Sequence, residues 1–118
     1  MAGLAVVMTI TGAGIASAQS SDPHYVALGD SRAAAVTWTS VLSGDNCSRT
    51  TDAYPNRVAA GLHVTFRSVA CLGATTTDVL TGQRVPGIRS VAPQVEALTM
   101  NTRLVTLSMG GNDIAWSI

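Results

Sequence analysis

No lysine occurs anywhere in the chain: all seven basic residues are arginines, matched by seven acidic ones. With a formal charge of zero, nothing in the sum suggests a nucleic acid or an anionic membrane surface as partner. The arginine-only usage reads as a bias of base composition rather than as chemistry. Charged residues make up only 12% of the sequence and apolar ones 47%, which argues against disorder. Histidine occurs twice, as His24 and His63, and neither has ligand spacing to Cys47 or Cys71. A metal site is therefore the lesser reading of the cysteines, and one disulfide the better one if the chain is exported. Nothing calls for a metal, a nucleotide or another cofactor, and internal repeats and low-complexity segments are absent.

What is present begins with an uncharged, small-residue-rich stretch, Met1 to Ala18, ending in Ala16-Ser17-Ala18. That small-x-small ending fits the narrow pocket of a signal peptidase, so residues 1–18 are expected to be a leader cleaved after Ala18. No basic residue precedes the apolar run, so either the true start lies upstream of Met1 or the leader is atypical. A membrane anchor is the competing reading, but a span needs about 20 strongly apolar residues. Here Gly3, Thr9, Thr11, Gly12 and Gly14 dilute the run. A secreted chain of residues 19–118, with no stable membrane insertion once the leader is gone, is the expectation. Its size suits one small domain. Closing a Cys47–Cys71 loop would stabilise it by roughly 3 kcal/mol on the chain-entropy model.

Tyr25-Val26-Ala27-Leu28, ended by Gly29, reads as a buried first strand, and Ser31 to Val36 as the start of a helix. Tyr54, Val58, Ala59 and Leu62 have helical spacing, with Pro55 near the start and Gly61 near the end. Val64, Phe66 and Ser68-Val69 form a second strand candidate, followed by a loop from Gly73 to Asp78. Gly82, Pro86 and Gly87 mark another loop, then Ala92 to Leu98 reads as a short helix, and Leu104 to Met109 is the clearest strand. Alternating strands and helices predict a parallel α/β sheet with helices on both faces.

Three segments sit where such a sheet collects ligands, at the carboxyl ends of its strands. They are Gly29-Asp30-Ser31, Gly73-Ala74-Thr75 and Gly110-Gly111-Asn112-Asp113. Ser31 on a tight strand-to-helix turn would be an exposed nucleophile. Its own N–H, an N–H of Gly73 and the Asn112 side-chain amide would face a developing oxyanion, where losing one donor costs about 2.7–4 kcal/mol. Asp113 is expected to cap a following helix beginning at Ile114, Asp30 to form a turn, and Asp78 to cap a helix or lie in solvent. Gly29-Asp30-Ser31-Arg32-Ala33 also approximates the Gly-x-Ser-x-Gly elbow of α/β-hydrolases, but that fold needs several strands before its serine.

The three blocks, in order from Tyr25 to about Ala115, resemble the GDSL, or SGNH, hydrolase family, in particular its exported actinobacterial esterase and lipase branch. By that resemblance Ser31 is the nucleophile, Gly73 the block-two glycine and Asn112 the block-three asparagine. The Cys47 and Cys71 pair also resembles that branch. The implied fold is a flavodoxin-like three-layer α/β/α sandwich, incomplete here because only the first three of its five strands are supplied. The implied activity is hydrolysis of small-molecule or lipid carboxylic esters through an acyl-enzyme. Arg32 stands where the family often has leucine or an aromatic residue. The family's Asp-x-x-His block, which carries the base, has no counterpart in the 118 residues. A serine hydroxyl without a base is a poor nucleophile. The chain as written is thus expected to be nearly inactive, either an amino-terminal fragment or a truncated product. A non-catalytic exported pseudoenzyme or binding module is the alternative.

Overall fold

The computed structural model describes residues 19–37 and 45–114. The leader expected at residues 1–18 and its cleavage point lie outside the described residues.

Strand β1 (Tyr25–Gly29) is buried at every position. Its side chains alternate between two apolar clusters, as a parallel strand covered on both faces requires. Tyr25 and Ala27 pack with Phe66, Ala59, Val58 and Val64. Val26 and Leu28 pack with Val79, Ala97, Val69, Val95 and Met109. One turn of helix, α1 (Ser31–Ala34), follows directly, with Asp30 as its N-cap: a carboxylate oxygen accepts from the Arg32 N–H at 2.9 Å. Helix α2 (Tyr54–Leu62) has proline in its first turn and covers the first face. It runs through Gly61 and stops at His63, whose φ of 55° is left-handed.

Strand β2 (Phe66–Ser68) and strand β5 (Leu104–Ser108) flank β1 in a parallel sheet of order β2-β1-β5. Register pairs Tyr25 with Phe66 on one side and with Leu104 on the other. The elements between them depart from the sequence reading. The segment expected to be a loop through Asp78 opens helix α3 (Thr76–Thr81), whose first turn is closed by a Thr75–Asp78 capping box. Asp78 is thus a helix cap. The next expected loop holds an antiparallel hairpin, β3 (Gln83–Val85) with β4 (Arg89–Val91). The helix expected at Ala92–Leu98 contracts to a 3-10 turn, Gln94–Ala97. With α3, that turn covers the second face of the sheet.

Cys47 and Cys71 form a disulfide, as the sequence suggested. Asp45 folds the Cys47 loop by accepting from the N–H groups of Cys47 and Arg49, each at 2.9 Å, while pairing with the Arg49 guanidinium. Burial pushes the Asp45 carboxyl upward, but these bonds outweigh it and hold the group below the ordinary carboxylate range. Replacing both cysteines by serine is expected to cost roughly 3 kcal/mol, read as a lower urea midpoint with a somewhat steeper slope, because the uncrosslinked unfolded chain exposes more surface. A loss under about 1 kcal/mol would mean that buried contacts already order the Cys47 loop.

Strand β5 pairs only with β1 among the described residues, and Leu104, Val105 and Leu107 are 37%, 44% and 60% exposed. The sequence marks β5 as an interior strand; here it is the sheet's open edge.

Candidate active site

The backbone before Ser31 is held from three sides. Gly29 has φ +154°, and a Cβ there would stand 2.6 Å from the Ser108 carbonyl oxygen and 2.9 Å from Ala33 Cβ. Only glycine lets β1 turn that close to β5 and α1. Gln94, 3% exposed, bonds this residue with both ends of its side-chain amide. Its Oε1 accepts from the Gly29 N–H at 2.8 Å and its Nε2 donates to the Gly29 carbonyl at 2.9 Å. The Cys71 N–H donates to the same carbonyl at 3.0 Å, and the Asp30 N–H donates to Ser108 O, also at 3.0 Å. Ser31 emerges half-buried from this fixed turn as the first residue of α1. Its N–H and Oγ find no hydrogen-bond partner among the described residues.

Gly73 leaves β2 through Cys71 and Leu72, with φ +80°. The Leu72 N–H donates to Cys47 O at 3.0 Å, so the disulfide loop steadies this segment too. The Leu72 carbonyl accepts from Gln83 Nε2 at 2.8 Å and from Arg89 Nη1 at 2.7 Å. Gly73 is exposed, and its N–H also lacks an acceptor among the described residues.

Asn112 lies in a 3-10 turn, Gly111–Asp113, at the carboxyl end of β5. Its Nδ2 donates to Ala74 O at 3.0 Å, which joins it to the Gly73 loop and leaves one amide hydrogen unspent. The helix expected to follow Asp113 from Ile114 onward lies almost wholly outside the described residues. The Asp113 carboxylate caps α3 from outside, accepting from the Thr76 N–H at 3.1 and 3.2 Å and from Thr76 Oγ1 at 2.7 Å. The structure therefore brings Gly73 and Asn112 together and ties the Ser31 turn to both of their strands. A cavity of about 360 Å³, lined by Asp30, Arg32, Ser108, Met109, Gly111 and Ile114, opens between the residues that flank Ser31 and those around the Asn112 turn.

The histidines stand elsewhere. The His24 carbonyl accepts from the Arg103 and Leu104 N–H groups at the amino end of the sheet, and His63 ends α2 ahead of β2. Both are exposed and at the amino end of the sheet, opposite the end where Ser31 stands. No metal-ligating group of side chains occurs among the described residues. No described helix is long and apolar enough to cross a membrane. Sequence reasoning missed Gln83, Arg89 and Gln94, polar residues in segments read as loop or helix. Their only signal is burial, which a sequence of this kind does not display.

Similarity to known proteins fits this geometry. A sequence model of the GDSL-like Lipase/Acylhydrolase family matches residues 27–118. Lipase 1 of Streptomyces coelicolor is 40% identical over 120 residues, covering 97% of this chain and 40% of that protein. Lipase 2 of the same organism is 41% identical over 115 residues, covering 93% and 37%. The crystal structure of an extracellular lipase from Streptomyces rimosus superposes with a TM-score of 0.59 at 35% identity, over 79% of this chain and 36% of that one. That of phospholipase A1 from Streptomyces albidoflavus gives 0.60 at 38% identity, over 81% and 37%. The chain spans at most 40% of the length of each of these relatives. Its parallel sheet with flanking helices is an incomplete version of their α/β fold.

Proposed function

We propose, because the chain belongs to the GDSL-like lipase/acylhydrolase family, that it carries the nucleophile and oxyanion hole of a secreted serine esterase or lipase. Ser31 Oγ attacks the ester carbonyl and loses its proton to a general base. The oxyanion that forms is met by the N–H of Ser31, the N–H of Gly73 and Asn112 Nδ2. Collapse expels the alcohol, which takes the proton from the base, and leaves an acyl group on Ser31. Water, deprotonated by the same base, then attacks the acyl-enzyme, and the base returns that proton to Ser31 Oγ as the acyl–oxygen bond breaks and the carboxylic acid leaves. One observation carries this reading. Two backbone N–H groups and an unspent amide hydrogen, each on a loop leaving the carboxyl end of a different strand, have no acceptor among the described residues.

Neither His24 nor His63 serves as the base, since His24 precedes β1 and His63 precedes β2, at the strands' amino ends, whereas Ser31 follows the carboxyl end of β1. A histidine from another segment is required, and residues 1–118 alone are expected to be almost inert toward esters. The relatives' names, lipase and phospholipase A1, favour acyl esters of lipids as the substrate class. The disulfide supports export.

Treating the complete gene product with a fluorophosphonate is the test. Stoichiometric labelling, mapped to the peptide that holds Ser31, is expected. A folded, disulfide-closed protein that stays unlabelled and turns over no acyl ester would reject the reading in favour of a non-catalytic binding module.

A further inference from the structure

We infer that Arg89, assisted by Gln83, is a positioning residue that sets the direction of the Gly73 N–H, an inference that rests on the acyl-hydrolase reading above. The Leu72 carbonyl and the Gly73 N–H belong to one planar trans peptide unit, so the two bonds point in opposite directions. Whatever holds the oxygen also aims the hydrogen. Arg89 Nη1 holds that oxygen at 2.7 Å and Gln83 Nε2 at 2.8 Å. The N–H is thereby turned away from the hairpin, and it meets no acceptor among the described residues.

Such holding is needed at this position. Gly73 sits at φ +80°, and a glycine there lets the preceding peptide rotate at little steric cost. A flipped unit would bury the donor and present a carbonyl oxygen to the developing oxyanion. The hairpin supplies both anchors from one face. Register pairs Gln83 with Val91 and Val85 with Arg89, so Gln83 and Arg89 are diagonal neighbours on it. The guanidinium contributes a charge-assisted bond. By polarising the peptide it also makes the N–H a stronger donor.

The arrangement is a poor one for stability alone. Arg89 Nε and Gln83 Oε1 are buried without a hydrogen-bond partner among the described residues. A buried unpaired donor and acceptor are costly, and apolar side chains of similar volume would fill the space more favourably.

Arg89→Met and Arg89→Lys, made in the complete gene product, test this. With a soluble acyl ester, Arg89→Met is expected to lower kcat by about 100-fold, the order seen when one oxyanion donor is lost, with KM within about twofold. Affinity for a boronic acid, which forms a tetrahedral adduct on the serine, should fall in parallel. Arg89→Lys, which keeps a cationic donor, should recover much of both. Gln83→Leu should reproduce the kcat effect more weakly, which keeps the role testable should Arg89→Met fold poorly. Unchanged kcat in folded Arg89→Met with an active parent overturns the positioning role and leaves the acyl-hydrolase reading intact. So does a loss that tracks melting temperature and is not rescued by lysine. A parent that neither labels at Ser31 nor cleaves esters overturns both.

Discussion

Replacing Ser31 by alanine is expected to abolish acyl-ester hydrolysis, by on the order of a million-fold in kcat where a serine nucleophile acts with its base. Stability should hardly change. Ser31 Oγ makes no hydrogen bond among the described residues, and the cap of α1 is Asp30 rather than the serine. Alanine at the first helical position adds no volume and leaves the Ser31 N–H in place. The variant should therefore melt within about 0.5 kcal/mol of its parent and still bind substrate with little change in KM. The check is a burst assay with a chromogenic ester alongside thermal denaturation. Retained turnover would remove Ser31 from the chemistry. Lost turnover with a collapsed fold would show only that the turn is fragile.

Gly29→Ala is expected to have the largest effect on folding. The new methyl group would overlap a carbonyl oxygen of β5 at 2.6 Å and Ala33 at 2.9 Å, and the backbone there, at φ +154°, is unfavourable for any side chain. Neither neighbour is a flexible side-chain tip: one belongs to a paired strand, the other to the buried face of α1. Relief requires separating β1 from β5 or tilting α1. Either would break the Asp30–Ser108 bond and loosen the grip of Gln94. A loss of about 3–5 kcal/mol would be a large share of the 5–15 kcal/mol typical of a domain. Urea unfolding of the complete gene product measures it. Gly61→Ala, in α2 with nothing within 4 Å of the added group, is the control and should gain up to about 1 kcal/mol. A destabilisation under about 1 kcal/mol for Gly29→Ala would mean that the strand-to-helix turn is far softer than its packing implies.

How much of this was visible in the residues depended on how local the cause was. β1 was readable because it is an apolar run closed by Gly29, β5 because Leu104, Val105 and Leu107 crowd one short segment, and α2 because its apolar residues recur at helical spacing. α3 was missed because Thr76, Thr77 and Thr81 have low helix propensity; the clue was the Thr75-x-x-Asp78 box. The β3–β4 hairpin was missed because its strands are three residues each and lack apolar alternation. Within the site, the glycines and Asn112 lie in short motifs close behind the strands, so the sequence exposed them. Gln94 acts on a residue 65 positions away, and Arg89 on a carbonyl 17 positions away. Only the folded backbone makes such pairings.

The central place of β1 in the sheet has a consequence for the order of folding. Its partner β5 comes far later in the chain, and the Tyr25–Thr106 hydroxyl contact spans 81 residues. Contacts of such long sequence separation form slowly, because loop closure must precede any gain from pairing. Synthesis at the ribosome delivers Ser31 long before Ser108, the residue that anchors Asp30 and against which Gly29 must fit. A nascent chain halted short of Ser108 would therefore hold the serine without the bend that presents it. The turn that carries Ser31 is set only when β5 arrives.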